Sequence, residues 1–290
     1  MRLDFIGNRG DRLSLTGNKN FYLTNVDAQT EASAALSTVI TGGVDGSTVT
    51  GEQADPRTIV LDLRINPAVD VEEAKREILR VVKLKQYGTL EWEQRGRIVT
   101  IRGIIEEIAM PRWKNAVVMQ ISLYCEQPFW EDVDIVVREI NEYIGLHFFT
   151  DTEGDMLYFP AEGIPFGMYD ASRSRTFVNE GDVSCGLTIT IRALSTVTNP
   201  IIFDTDANFF GVGYGTGTKK VTMNEGDILV ITTHKGNKTV KLNGVSLFDK
   251  IKPLSKWLQL QTGENQFAVS SDDSDTGNMI FNLEYKQRYV

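Results

Sequence analysis

The side chains most often used for catalysis and for metal binding are scarce in this chain of 290 residues. The sequence contains two histidines, His147 and His234, and two cysteines, Cys125 and Cys185. A zinc site made from these residue types would need carboxylates for most of its tetrahedral coordination. A Ser-His-Asp triad would have to use one of the two histidines, and neither lies in a nucleophile motif. The sequence therefore predicts no catalytic residue, no metal site and no cofactor.

Three loop segments resemble ligand-binding motifs without matching them. The run 204–208 begins like an EF-hand calcium loop, but Phe209 stands where that loop requires Gly. The glycine-rich run 211–217, followed by Lys219, fits neither GxxxxGK[ST] nor GxGxxG, and no helical pattern follows it. The run 270–275 carries three aspartates and is interpreted as a solvated turn. None of these segments predicts a nucleotide or calcium site.

A role in carbohydrate chemistry stays open as an alternative. A glycosidase needs two carboxylates that face each other across a cleft, and 39 Asp and Glu residues supply many pairs without identifying one. A carbohydrate-binding module needs an exposed aromatic ring beside polar groups, and Trp130, Tyr214 and Trp257 are candidates for it. Each of these rings is more commonly a core or interface residue. The sequence therefore leaves two carbohydrate-related functions open, those of a carbohydrate-binding module and of a glycan hydrolase.

The composition is that of a folded, acidic protein. Hydrophobic residues make up 41% and charged residues 24% of the chain, and the net charge is -9. This sign opposes direct binding of nucleic acid, whose affinity comes from Lys and Arg at the phosphates. No apolar run approaches the roughly 18–20 residues of a spanning helix, which predicts no membrane insertion. With no charged and apolar leader after Met1 and no disulfide framework, the chain is expected to be made in a reducing cytoplasm.

Alternating hydrophobicity dominates the chain and predicts strands. In 58–65 the odd positions are apolar, and the same alternation recurs in 90–93 and 117–125, which predicts one antiparallel unit. The second half shows short alternating runs separated by turn signals, among them Asn243-Gly244, a pair suited to a type I′ hairpin. This spacing predicts a β-sandwich or jelly roll. The fold class predicted is mainly β.

One segment has helical periodicity. Between Val71 and Lys85 the apolar residues fall on one stripe, with Asp70 as the expected N-cap and acids in the first turn. The prediction is an amphipathic helix of about four turns, over about 70–86. It is expected to pack on the sheet of its own domain, because its stripe is only wide enough for one sheet face.

Two composition changes divide the chain. The stretch of about 27–57 is rich in Ala, Ser, Thr and Gly, and a connection this long inside a compact domain predicts a functional arm. The run 126–130 interrupts the alternation and marks the expected domain boundary. The prediction is an N-terminal domain over 1–130 and a C-terminal domain over 131–290.

The order and spacing of several turns and strand entries resemble those of the distal tail protein family of siphophage-type tails. The resemblance runs over nearly the whole chain. It rests on Asp45-Gly46 before Pro56-Arg57-Thr58-Ile59, on Cys125-Glu126-Gln127-Pro128-Phe129-Trp130, on Asn179-Glu180-Gly181-Asp182 ahead of Asn199-Pro200-Ile201-Ile202, and on Gly226-Asp227, Asn243-Gly244 and Gly263-Glu264-Asn265.

The resemblance implies a structural protein. Its first domain would be a β-sandwich or split barrel with one helix that forms a hexameric ring, and its second a galectin-like β-sandwich. The homo-hexamer would join the tail tube protein to the tail-associated tip protein and carry receptor-binding or baseplate proteins on its outside. Such a protein would be located at the tail tip of the virion, after assembly in the bacterial host cytoplasm, and would not be an enzyme.

Two sets of residues are predicted to mediate these contacts. An arm without internal contacts gains nothing from ordering alone, since fixing each backbone residue costs ~1–2 kcal/mol. We therefore expect 32–57 to form the contact between subunits. The net acidity further suggests a negatively charged lumen, which would keep DNA from adhering. The ring-interface candidates are Val44, Asp45, Arg57, Asp62 and Arg64, and the domain-junction candidates are Pro128, Phe129 and Trp130.

Overall fold

The fold is mainly β, as predicted, with strands over 57% of the chain. The chain divides into two compact units, one made of Met1–Asp134 with Arg288–Val290 and the other of Ile135–Gln287. A computed structural model describes residues 2–26, 32–40, 42, 45–94, 96–110, 112–113, 116–139, 143–145, 167–169, 174–273 and 279–290.

The first unit is built on one open antiparallel sheet. Its elements are β1 (Arg2–Gly7), β2 (Arg12–Ser14), β3 (Phe21–Val26), β4 (Ala34–Val39), β5 (Thr48–Ala54), β6 (Arg57–Ile65), α1 (Val71–Val81), β7 (Tyr87–Gln94), β8 (Arg97–Ala109), β9 (Arg112–Trp113), β10 (Ala116–Cys125), β11 (Trp130–Asp132) and β27 (Arg288–Tyr289). The sheet runs β2-β1-β7-β8-β10-β6-β3, with β9 on β10 and with β11 on both β8 and β27. Among the described residues this sheet does not close into a barrel.

The core of the first unit lies between one face of this sheet and α1. The odd residues of β6 from Ile59 to Ile65 are buried, which confirms the predicted alternation. On the helix, Ala74, Ile78 and Val81 are buried, and Asp70 caps the first turn by accepting a hydrogen bond from the Glu72 amide at 3.0 Å. The hydrophobic stripe therefore packs on the unit's own sheet, as expected.

The helix is shorter than predicted, because the chain leaves it to join the sheet. Val82 is buried in an extended conformation directly after the last helical residue. Lys85 then has a φ of 61°, and its amide donates to the Ile105 carbonyl of β8 at 2.9 Å. The predicted continuation to residue 86 is wrong, since a tertiary hydrogen bond takes the amide that a further turn would have used.

The C-terminal strand returns to the first unit. In the antiparallel pair β11–β27, Trp130 lies opposite Tyr289 and Glu131 lies opposite Arg288. Residues 131–134 and 288–290, which the sequence assigned to the second domain, therefore belong to the first unit.

The second unit is a β-sandwich, as its turn spacing predicted. Its strands are β12 (Val136–Glu139), β13 (Tyr143–Gly145), β14 (Gly167–Tyr169), β15 (Ser174–Asn179), β16 (Cys185–Ala193), β17 (Val197–Thr198), β18 (Ile201–Phe203), β19 (Phe209–Gly211), β20 (Thr222–Met223), β21 (Ile228–His234), β22 (Asn237–Leu242), β23 (Val245–Ser246), β24 (Gln259–Leu260), β25 (Gly263–Ser270) and β26 (Met279–Tyr285), with a 3₁₀ turn at Phe248–Lys250. One sheet runs β12-β26-β16-β21-β22-β23, with β24 on β16, and the other runs β15-β25-β18-β19. Phe177 and Phe267 of the second sheet share one core with Leu187 and Phe281 of the first.

The turn between β22 and β23 has the backbone conformation that its two central residues favour. Asn243 and Gly244, between β22 and β23, have φ values of 49° and 82°. A type I′ turn requires positive φ at both central residues. The predicted type I′ hairpin is therefore confirmed at this position.

Candidate assembly interface

The predicted arm contains a β-hairpin that forms a sheet of its own. Strands β4 and β5 pair with each other, from Ala34 opposite Ala54 to Val39 opposite Thr48. This hairpin, which we call the ribbon, is inserted between β3 and β6, and β3 ends the main sheet. At its base the Asp55 amide donates to the Ser33 carbonyl at 2.8 Å. The ribbon is therefore a separate hairpin that follows the edge strand β3 of the main sheet.

Almost nothing in the described part of the chain covers the ribbon. Every residue of β4 and β5 is exposed except Ala54, which is half-buried. The apolar side chains are included, since Leu36 is 58% and the following Ile40 79% exposed. An isolated two-stranded hairpin is marginal in water, because it has no hydrophobic face to bury. The ribbon therefore lacks, within the described chain, the packing that would stabilise it.

Both edges of the ribbon are open to further pairing. Among the described residues, no other strand pairs with β4 or β5. Natural proteins block such edges with Lys, Pro, bulges or very short strands. Neither ribbon strand has Lys or Pro, and Glu52 is their single charged residue. The ribbon carries one bulge between Ser37 and Thr38 and is otherwise suited to accept another strand.

Two of the ring-interface candidates share the outer face of β6. Asp62 accepts hydrogen bonds from the Gln120 side-chain amide at 3.0 Å and from that of Asn25 at 3.5 Å. Arg64 is exposed on the same face and lies opposite Tyr22 of β3, itself an exposed aromatic residue. The structure therefore brings Asp62 and Arg64 together on a solvent-facing surface.

The other three ring-interface candidates are not part of this face. Asp45 is exposed in the loop between β4 and β5, and Val44 lies outside the described residues. Arg57 has the phase of the buried positions of β6, and its guanidinium carbon lies 5.8 Å from the ring centroid of Trp130. Burial lowers the pKa of Arg57 below its usual value. This side chain is therefore directed to the interior, away from Asp62.

The domain-junction candidates are built into the first unit. Pro128 and Trp130 are buried and Phe129 is half-buried. Trp130 meets Trp92 edge to face, with ring centroids 5.5 Å apart, and packs in the core of this unit. The chain enters the second unit shortly afterwards, at Ile135.

The sparse His and Cys side chains occupy structural positions where the structure describes them. Burial raises the pKa of Cys125 to about 12, which keeps the thiol protonated and makes it a poor nucleophile. His234 Nε2 lies 3.2 Å from the Thr188 hydroxyl, and His147 lies outside the described residues. Within the described ranges, no three His, Cys, Asp or Glu side chains come close enough to hold a metal ion.

The calcium-like run satisfies its own polar groups. Asp204 Oδ1 accepts from the amides of Asp206 and Asn208, and Asp204 Oδ2 accepts from the Asn208 side chain. The Lys256 ammonium donates to Asn208 Oδ1 at 2.6 Å, which places a positive charge beside the loop. These contacts form a capped turn rather than a cation site.

A cavity on the first unit was not predicted. It has a volume of about 490 Å³ and is lined from β7, β8 and the segment before β11. On its wall the Tyr87 hydroxyl donates to Glu126 at 2.8 Å, and the Arg102 guanidinium lies 4.6 Å from the Tyr87 ring centroid. The hydrogen bond to Glu126 raises the pKa of Tyr87. No spacing in the sequence brings these three residues together, because they meet only through strand pairing.

Comparisons with known proteins identify the kind of protein that has this fold. A family model described as a siphovirus-type tail component, C-terminal domain, matches residues 180–289. A second, described as the RIFT-related domain of phage tail proteins, matches residues 9–125. Both describe structural parts of phage tails, and together they span most of the chain. The chain belongs to the distal tail protein family of siphophage-type tails, and its role is that of a structural tail component.

One solved structure has the same fold over its whole length. The crystal structure of the Dit protein (gp 19.1) of phage SPP1 superposes with a TM-score of 0.64 at 13% identity, over 99% of each chain. Two structures of the phage p2 baseplate in its activated conformation, with Sr and with Ca, have TM-scores of 0.43 at 11% and 12% identity, over 98% of this chain and 97% of theirs.

A search of curated proteins gives no match. None of the described helices has the length and apolarity needed to cross a membrane.

Proposed function

We propose that this chain assembles with copies of itself into a hexameric ring at the tip of a phage tail. The ring joins the tail tube protein to the tail-associated tip protein and carries receptor-binding or baseplate proteins. The first unit forms the ring, the second acts as a docking platform, and the chain catalyses no reaction. The observation that carries the proposal is the ribbon, an exposed hairpin with two open edges and apolar side chains that nothing in the described chain covers.

Edge pairing supplies the physical basis of the ring. One edge of each ribbon pairs with the ribbon of one neighbouring copy, and the other edge pairs with that of the second neighbour. Such a head-to-tail contact is heterologous, and it closes into a ring when the rotation per subunit divides a full turn. The pairing satisfies backbone groups and buries residues such as Leu36 and Ile40. Asp62 and Arg64, on the outer face of β6, contribute further polar contacts between the copies.

The relatives support a place at the end of the tail. The structure of the SPP1 protein is presented as a paradigm of the hub adsorption apparatus in phages that infect Gram-positive bacteria. We assign the corresponding position in its own particle to this chain, which is made in the bacterial host cytoplasm and incorporated into the tail tip of the virion. The residues around Pro128, Phe129 and Trp130 lead the chain from the ring-forming unit into the platform.

The carbohydrate-binding alternative has less support from the geometry of two of its three candidate rings, Trp130 and Trp257. Trp130 is buried in the core of the first unit. The Trp257 ring is contacted by Phe210 at 4.7 Å and by Phe248 at 6.0 Å between centroids, and the Lys238 ammonium lies 5.5 Å from its centroid. A sugar ring would have to displace such neighbours in order to stack on Trp257. The ring-forming role needs no such rearrangement.

The mass in solution tests the proposal. Light scattering during size-exclusion chromatography should give a species of six times the 32.5 kDa of one chain. Deletion of 34–52 should convert it to single chains whose strand signal in circular dichroism falls only by the contribution of the deleted hairpin. An unchanged ring mass after the deletion would contradict the role of the ribbon. A chain that stays a monomer at high concentration and releases reducing ends from peptidoglycan would contradict the proposed function as a whole.

A further inference from the structure

Lysine is concentrated in one segment of this acidic protein. Residues 219–256 contain eight of the fourteen lysines, no arginine, and three acids, Glu225, Asp227 and Asp249. The rest of the chain therefore carries more negative charge than the net value of -9. Lysines clustered in this way repel one another. A positive region of this kind favours the binding of partners with the opposite charge.

Part of this segment is fixed along the edge strand β19. The amides of Gly213 and Lys252 donate to the carbonyls of Lys250 and Gly211 at 2.8 and 2.9 Å. Further along, the Lys256 amide donates to the Phe209 carbonyl at 2.8 Å. The backbone of 250–256 is therefore held in place and presents its side chains in a defined arrangement.

The turn within this stretch exposes a leucine in an unfavourable backbone conformation. The Ser255 amide donates to the Lys252 carbonyl at 3.2 Å, and Leu254 has a φ of 66°. With Pro253 before it, Leu254 occupies the position of a type II turn that normally takes Gly. Its side chain is 88% exposed, so inside the chain the residue gains almost no burial in return for this conformation. A contact with another molecule would supply that burial.

Aromatic side chains continue the apolar part of the surface. Phe248 is 56% exposed and stacks on Trp257 with ring centroids 6.0 Å apart. Trp257 in turn packs on Phe210, a residue of the sandwich core. The exposed ring is thus connected to the rigid interior, as in binding hot spots, which are well-packed aromatic or apolar anchors.

Two lysines of the segment lie against aromatic rings. The Lys238 ammonium lies 5.5 Å from the Trp257 ring centroid, and that of Lys252 lies 5.7 Å from the Phe209 ring centroid. Lys219 pairs with Asp249 at 3.2 Å. Among the described residues, this is the one salt bridge that a lysine of 219–256 makes. The segment therefore offers a partner both exposed apolar side chains, Leu254 and Phe248, and positively charged lysines.

We propose that this surface docks an acidic protein partner whose apolar recess receives Leu254. We call it the lysine surface, and it consists of Lys219, Lys238, Phe248, Lys252, Leu254, Lys256 and Trp257. The inference rests on the proposed function, in which the second unit is the docking platform, and it specifies which face of that unit is used. A protein is favoured over a polyanion because a phosphate or sulfate polymer would use the lysines and leave Leu254 and Phe248 in water.

Leu254→Gly is the sharpest test, because Gly is the residue that a φ of 66° favours. The variant loses the side chain without straining the turn, and we expect it to fold at least as well as the parent. The probes are the tail-tip and receptor-binding proteins of the same particle, purified singly, with binding measured by surface plasmon resonance on the full chain. We expect the affinity of one acidic probe to fall about tenfold or more. Leu84→Gly, at an exposed leucine of the first unit, should leave it unchanged.

A second variant and a second probe separate the competing outcomes. Lys252→Glu with Lys256→Glu should abolish binding of the same probe and remove its dependence on salt. Heparin, a sulfated polyanion, should bind Leu254→Gly and the parent equally. Wild-type affinity of the probe for Leu254→Gly, or no binding of any purified tail protein to the parent, would overturn the inference. A changed ring mass in Leu254→Gly would instead make the surface a contact between copies, whereas a parent that forms no ring would refute the proposed function.

Discussion

Asp4 and Arg12 form a charged pair on the outer face of the first unit's sheet, with Arg12 Nη1 donating to Asp4 Oδ2 at 2.7 Å. Arg2 and Ser14 also donate to the Asp4 carboxylate, at 2.8 and 2.9 Å. Arg12 extends the network to Glu91 on β7. A buried carboxylate is thus satisfied by three donors from two adjacent strands.

Asp4→Asn should destabilise the first unit by about 2 kcal/mol, because it removes charge-assisted hydrogen bonds and leaves Arg2 and Arg12 without their shared partner. Chemical unfolding at neutral pH measures this loss. Asp11→Asn, at an exposed position of the same unit, is the matched control and should change the free energy of unfolding by less than about 0.5 kcal/mol. Equal effects of the two variants would show that the Asp4 network does not stabilise the fold.

The same network predicts a dependence on pH. Burial alone would raise the pKa of Asp4, but the hydrogen bonds from Arg2, Ser14 and Arg12 outweigh it and hold the pKa below its usual value. The resulting stability is present above the pKa of the unfolded chain, ~3.9. It is lost as the pH falls through the folded pKa. The difference in stability between the parent and Asp4→Asn should therefore stay constant from neutral pH down to about 5 and shrink below about 4. A difference that grows in acid would refute this assignment.

A single lysine in the ribbon should prevent ring formation. In Val49→Lys a charge stands on a strand edge that we expect to pair with a neighbouring copy, and edge lysines oppose such pairing. The prediction is a shift from the ring to a 32.5 kDa species in light scattering, with the circular dichroism spectrum of a folded chain. Val178→Lys places the same charge on an exposed strand position of the second unit and should leave the ring intact. A ring in both variants would exclude the ribbon from the interface.

Loss of the last three residues should weaken the first unit rather than the second. Truncation before Arg288 removes the strand paired to β11 and the 2.6 Å ion pair between Arg288 and Glu131, together with the stacking of Arg97 on Tyr289. We expect a cost of about 2–3 kcal/mol, comparable to loss of a few charge-assisted contacts. Amide hydrogen exchange should rise in β11 and β8 and stay unchanged in β21. Arg288→Lys keeps the strand and the charge, and it should retain most of the protection.

The acidity of the arm that contains the ribbon predicts an effect on DNA passage. Residues 26–56 contain five acids, Asp27, Glu31, Asp45, Glu52 and Asp55, and no Lys or Arg. If the ribbons line the conduit, replacing Asp45 and Glu52 with lysine should slow genome ejection from purified particles, and added salt should restore the rate. Asp45→Asn with Glu52→Gln is the control, because it removes the two negative charges without reversing them. Ejection at the parental rate from the lysine variant would place these residues away from the DNA.

Local signals in the sequence predicted the elements, and tertiary contacts decided their ends. The alternation from Ile59 to Ile65 and the cap at Asp70 are local properties, and both are confirmed. The helix end depended on the bond from the Lys85 amide to Ile105, twenty residues away in the chain, which no local pattern reveals. The return of Arg288 to Glu131 is a longer-range pairing of the same kind.

The candidate site was predictable where the strand phase was used consistently. Asp62 and Arg64 lie at even positions of β6 and share the outer face. Arg57 has the odd phase of Ile59, so the same alternation already indicated the interior position in which the structure places it. The cavity beside Tyr87, by contrast, joins Arg102 and Glu126 from separate strands and loops. The residues that line this cavity could be identified only from the order of the strands in the sheet.

The pairing of β11 with β27 brings the two ends of the second unit close together. Direct antiparallel partners are about 5 Å apart, so Glu131 and Arg288 are neighbours although the whole of 135–287 lies between them. That stretch occupies the place of a hairpin turn, and a loop of about two to five residues would bridge the same gap. The two ends of this stretch are therefore as close together as the ends of a hairpin loop, so a different domain whose ends have the same spacing could stand at the same place in the chain.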